Sequence, residues 1–297
     1  MVVPAPNFAM NPLIPLLFLL GFGTFTVPLL AQEPSPKAAS TPAVVPPDIN
    51  GYKTIITPPV AAKPVKVLLY NGGGVSKDGV EKVRSAVAAM PGSVATLASP
   101  EEMATLDLKA YDVVVFCGGV ARSQAKALGE AGMSNVREYV RNGGGYVGIC
   151  AGAYLACTGF DWSLGILNAS TVSSKWRRGI GYMDAEVVEK GQALFGEVKG
   201  NFKVRYHNGP VIKPGTHLEI PAYTPVILFR SEIAEHGSPA GVMVNSPASA
   251  MGTFEKGRVF VSSPHPENTP GLEHLIPRAI LWAAGQEPQS AGRDVVP

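Results

Sequence analysis

Four short apolar runs, residues 65–70, 93–98, 112–116 and 145–149, alternate with helical segments at 77–90 and 134–141. Strands that are apolar on both faces must be covered on both faces, and parallel strands need crossover connections. The pattern therefore predicts an α/β unit, a parallel sheet with helices on each side. Right-handed crossovers gather the loops that follow these strands at one sheet edge, where ligands bind in open α/β sheets. Three Gly-rich loops fall there: Asn71 to Gly74, Gly118-Gly119, and the turn around Cys150. Beyond residue 157, runs at 179–188, 203–206, 224–230, 241–244 and 248–254 read as further strands, and 272–284 as a closing helix.

The flanks read differently. Residues 11–31 are one long apolar stretch ending in Ala31, followed by Gln32 and Glu33, which reads as a signal peptide over 1–31. An uncleaved anchor is the alternative, and Pro15, Gly21, Gly23 and Pro28 disfavour it. Residues 32–62 are crowded with Pro, Ala, Ser and Thr and are expected to form a linker, with a loose tail over 286–297. One domain is left, over 63–285. The expected location is secreted or periplasmic, with no membrane contact in the mature form.

A chain 46% hydrophobic and 16% charged can bury a sizeable core, and a net charge of +2 without a basic run leaves no footprint for nucleic acid. Three cysteines, Cys117, Cys150 and Cys157, are too few for a disulfide scaffold, and one must stay unpaired within the monomer. There is no Cys-x-x-Cys and no paired-histidine spacing, so neither a metal nor another cofactor is expected.

Gly148-Ile149-Cys150-Ala151-Gly152 has the spacing of a nucleophile elbow, with glycines two before and two after the thiol at a strand-to-helix turn. The following helix would aim its amino-terminal dipole at the sulfur. An oxyanion would be met by the Ala151 amide and a second donor from Gly118 or Gly119. Of five histidines, His265 stands at the end of an apolar strand in Ser263-Pro264-His265-Pro266-Glu267, where Glu267 can orient the ring. His217 and His236 read as loop residues and His274 as a helix residue. His207 stays open between a turn residue and a substrate contact. Cys117 and Cys157 read as buried small hydrophobes.

Together with Tyr70-Asn71-Gly72-Gly73-Gly74, Phe116-Cys117-Gly118-Gly119 and the run from Gly143 to Tyr154, these motifs resemble the class I glutamine amidotransferase-like superfamily. Within it the resemblance is nearer to the family named for the amino-terminal domain of biotin-protein ligase. It covers most of residues 65–282. It implies a flavodoxin-like three-layer sandwich with a mostly parallel sheet, and a triad of Cys150 nucleophile, His265 base and Glu267 orienter. Asn71, Gly72, Gly118, Gly119, Ala151 and Tyr154 are the expected oxyanion and substrate contacts. Tyr154 stands where glutaminase domains usually carry Gln, and no Gly-Arg-Gly-Arg stretch of a biotin ligase occurs.

The expected function is a cysteine hydrolase of the amidase or glutaminase-like kind, acting on a small amide or peptide outside the cytoplasm and not a biotin ligase. The alternative is a non-catalytic ligand-binding module that keeps the pocket. A third reading is redox sensing through Cys117 and Cys150.

Overall fold

Side chains that alternate across each strand set the layers in the computed structural model, which describes residues 49–51 and 53–290. Its first half runs β1 (Pro59–Val60), β2 (Lys66–Tyr70), α1 (Lys77–Ala88), β3 (Val94–Ala98), α2 (Pro100–Thr105), β4 (Val113–Phe116), α3 (Ala121–Arg141), β5 (Gly145–Ile149) and α4 (Ala151–Ala156). The second half runs β6 (Ala169–Thr171), β7 (Ile180–Val187), α5 (Glu189–Phe195), β8 (Phe202–His207), β9 (Ile212–Pro214), β10 (Thr224–Phe229), β11 (Pro247–Phe254), β12 (Gly257–Ser262), α6 (Leu275–Ala283) and β13 (Gln289–Ser290).

A nine-stranded sheet in the order β3-β2-β4-β5-β12-β11-β10-β7-β8 forms the centre. It is parallel from β3 through β12 and antiparallel from there to β8. Val67, Leu69, Val113, Val115, Val147 and Ile149 pack on one face with residues of α1 and α6. The residues between them, Leu68, Tyr70, Val114, Phe116 and Tyr146, pack on the other with α3 and α4. The period of two thus divides one sheet between two cores, giving the three-layer sandwich. On the second face Tyr70, Phe116 and Tyr146 stack across three strands, with ring centroids 5.0 and 5.6 Å apart. Such stacks add to area burial by about 0.5–1.5 kcal/mol each.

Three expectations change. The helix expected at 134–141 extends back to Ala121, kinked where Gly129 takes φ 63° and ψ −178°; glycines at 129 and 132 had interrupted its periodicity. Residues 241–244 form turns rather than a strand, because the Glu232 carboxylate accepts from the amides of Gly241 and Val242 at 2.7 and 3.2 Å. The unit also reaches beyond 63–285. Ile56 is fully buried, β1 pairs with β13, and the Gln286 side chain bonds both backbone groups of Lys63. Residues 1–31, most of 32–62 and 291–297 lie outside the described residues, and with them the expected signal peptide.

Candidate active site

Parallel pairing of β5 with β12 sets Val261 opposite Gly148 and Ser262 opposite Ile149. Residues more than a hundred positions apart in sequence therefore leave the same sheet edge side by side. The Cys150 amide donates to the Ser262 carbonyl at 2.7 Å, and Cys150 turns sharply into α4 with φ 51° and ψ −96°. A non-glycine residue held there is strained by about 1–3 kcal/mol, which persists only where the surroundings enforce it. The two elbow glycines do so by close approach. A methyl on Gly148 would lie 2.5 Å from the Gly152 carbonyl oxygen, and one on Gly152 would collide with the Phe116 carbonyl.

The segment after β12 brings in the imidazole. The His265 amide donates to the Arg205 carbonyl at 2.7 Å, and Thr269 Oγ1 donates to the His265 carbonyl at 2.7 Å. The buried ring sets Nδ1 2.8 Å from Glu267 Oε1 and lies beside the Cys150 side chain. Gly118 makes room for it, since a methyl there would lie 2.6 Å from His265 Cε1 and 3.6 Å from Cys150 Cβ. Burial works against charge on this histidine. The negative charges and hydrogen bonds of Glu267 and Cys150 outweigh it and raise its pKa to about 10. The ring is therefore an imidazolium at neutral pH, held between the Cys150 sulfur and the Glu267 carboxylate.

Cys150, His265 and Glu267 are thus brought together. Gly119 lines the same space, and neither its amide nor that of Ala151 makes a hydrogen bond among the described residues. The helix after Cys150 is only six residues long, so its dipole is slight beside the charge on His265. Tyr154 lines the cleft, its phenol pushed well up by burial and donating to the Asn208 carbonyl at 3.2 Å.

Asn71 and Gly72 are not brought to the thiol. The Asn71 amide donates to Ala98, and Gly72 lies against Pro100 and the Tyr70 hydroxyl, where a methyl would come within 2.6 Å of each. Their loop acts one layer further out, where the Gly74 carbonyl accepts from Val120 and packs against Gly119. Cys117 and Cys157 are fully buried and burial pushes both thiols up, Cys157 to about 12. All three cysteines are free.

His207, left open by the sequence, lies in the cleft with its ring centroid 6.4 Å from that of His265. The Cys150 thiol points to the His207 carbonyl oxygen at 3.5 Å. Burial, together with the charges of His265 and Arg205, lowers the His207 pKa and keeps its ring neutral. His236, expected to be an ordinary loop residue, also lines the cleft beside Glu235, with Nε2 3.6 Å from Oε2. His217 pairs with Glu219 in a separate exposed hollow of about 270 Å³.

The cleft above Cys150 holds about 990 Å³. Its walls include Phe160, Trp162, Trp176 and Ile180, with Arg122 and Arg177. None of the six is marked as a site residue by the sequence. They come from loops and segment ends without periodicity, and only the aromatic pairing in Phe160-Asp161-Trp162 and Trp176-Arg177 hinted at them. Among the described residues no cluster of three or more His, Cys, Asp or Glu side chains is placed to hold a metal ion, and no helix is long and apolar enough to cross a membrane.

Residues 65–176 match the family model described as biotin-protein ligase, N terminal. No curated protein matches the chain. Among solved structures, PurLQS from Thermotoga maritima is 16% identical with a TM-score of 0.53, over 74% of this chain and 99% of that one. A thua-like protein from Parabacteroides merdae is likewise 16% identical at 0.53, over 78% and 94%. At such identities the likeness is one of fold, a mixed α/β unit of the glutamine amidotransferase-like kind.

Proposed function

From the match of residues 65–176 to the biotin-protein ligase N-terminal family model and the glutamine amidotransferase-like fold, we propose that this chain is a cysteine-dependent amidase. The observation that carries the reading is the Cys150–His265–Glu267 constellation, with Nδ1 held 2.8 Å from Oε1 and the ring beside the Cys150 side chain across Gly118. Cys150 Sγ attacks the amide carbon as the thiolate of an ion pair with protonated His265, forming a C–S bond as the C=O π electrons move to oxygen. The oxyanion is met by the amides of Gly119 and Ala151. As the C–N bond breaks, His265 gives its proton to the leaving amine, and Glu267 stabilises the imidazole throughout. Water then adds to the thioester with His265 taking its proton, a C–O bond forms, and the C–S bond breaks to restore the thiolate beside protonated His265. The family match does not imply biotin ligation, because no biotin ligase catalytic stretch occurs in the chain. Action outside the cytoplasm is part of the proposal and rests on the apolar stretch at 11–31.

One contact favours the rival reading, a binding module without turnover. The Cys150 sulfur is turned to the His207 carbonyl oxygen at 3.5 Å, so the side chain is engaged by the backbone of the cleft. Labelling with iodoacetamide at pH 7 separates the two. An amidase labels at Cys150 at least tenfold faster than the same residue in the unfolded chain, while Cys117 and Cys157 stay protected. His265→Asn then slows labelling by about 10²–10⁴-fold. Labelling of Cys150 no faster than in the unfolded chain overturns the amidase and leaves the binding module.

A further inference from the structure

The walls of the cleft carry information that the triad does not. Eight large apolar side chains are exposed among the described residues, and three of them, Val120, Trp176 and Ile180, line this one cleft. Apolar exposure concentrated in a concave site marks a binding surface, whereas scattered single residues do not. The aromatic surface is also arranged. Phe160 and Trp162 stack at 4.7 Å with 22° between their planes, and Tyr154 meets Phe160 at 6.1 Å and 56°. Trp176 is 53% exposed. It comes from a different loop and presents a second platform, braced by Arg177 at 5.0 Å from its ring.

Charge is placed as well. Arg122 and Arg177 line the cleft, and neither has a carboxylate partner among the described residues. Glu235, with His236 at 3.6 Å, is among the described residues the one carboxylate lining the cleft beside these two arginines, so positive charge is in excess there. Its volume of about 990 Å³ lies at the upper end of the range of about 300–1,000 Å³ that accommodates drug-sized ligands. That is far more room than a single small amide fills.

Resting on the amidase reading above, we infer that the substrate is a peptide-sized amide with an aromatic side chain and a free carboxylate. The aromatic group lies against the Phe160–Trp162 and Trp176 surfaces, and the carboxylate is met by Arg122 or Arg177. Aromatic stacking and a charge-assisted hydrogen bond supply recognition on either side of the bond presented to Cys150.

Binding is read apart from turnover with the full chain carrying Cys150→Ala. Trp162 and Trp176 are two of the three tryptophans, so occupancy of the cleft is followed by intrinsic fluorescence. N-acetyl-Phe-Ala with a free carboxylate is expected to bind at least tenfold more tightly than N-acetyl-Ala-Ala. Amidating its carboxylate should weaken it several-fold, and Trp176→Ala should remove most of the preference for Phe. Equal affinity for the Phe and Ala peptides, tighter binding of chitotetraose than of either, or no saturable binding up to millimolar peptide overturns the inference. Failure of the amidase reading looks different: the Phe peptide binds as expected, yet the wild-type chain leaves it intact. Turnover of small amides with no preference for Phe sinks the substrate assignment and spares the amidase.

Discussion

His265 sets the charge balance of the site, and that balance is measurable. With a pKa raised to about 10 against burial by Glu267 and Cys150, the ring is positive through the neutral range and loses its charge as pH climbs through about 10. An anionic reagent gains from that charge and a neutral one does not. The ratio of iodoacetate to iodoacetamide alkylation rates at Cys150 is therefore expected to be high at pH 7 and to fall as pH rises through about 10. A flat ratio would show that no imidazolium faces the sulfur. Cys150, His265 and Glu267 were legible in the sequence because each sits in a short local pattern, a glycine-flanked turn and a Pro-braced triplet. Asn71 and Gly72 were misplaced because a Gly-rich loop at the right edge looks the same whether it faces a ligand or packs on Pro100 and Tyr70. The cleft aromatics were silent, since loop residues carry no period that predicts where they point.

Among the elements, α4 is the piece whose placement everything else depends on. It sits close against the sheet because Gly152 has no side chain where the Phe116 carbonyl lies, and the Tyr146 hydroxyl donates to the Gly152 carbonyl at 2.8 Å. Gly152→Ala forces α4 away from β4 and is expected to destabilise the fold by about 1–3 kcal/mol, the usual range for overpacking. Chemical denaturation checks this, and an unchanged midpoint would mean that the elbow tolerates displacement. The parallel half of the sheet was readable from its apolar runs. The antiparallel half was readable as strands but not in its order, because β12 inserts beside β5 through contacts that no local pattern encodes. The spurious strand at 241–244 has the same origin: a distant carboxylate, that of Glu232, takes up the amides a strand would have used.

Across the whole molecule, Arg278 holds the outer segments to the core. Its buried guanidinium donates to the Thr57 carbonyl and hydroxyl, both at 2.8 Å, and to the carbonyls of Leu194 and Pro288 at 3.2 and 3.0 Å. Arg278→Met would leave these acceptors without their donor and is expected to lower stability by about 2–4 kcal/mol. The thermal midpoint should fall, and protease should cut first near Thr57. A midpoint within a degree of wild type would mean that water replaces the arginine without loss. The pairing of Pro59–Val60 with Gln289–Ser290 has a consequence for handling the protein. The ribbon has two strands only, one from each flank of the folded unit, so a truncation that removes either strand leaves the backbone groups of the other without their partner. A shortened chain therefore has to keep both flanks.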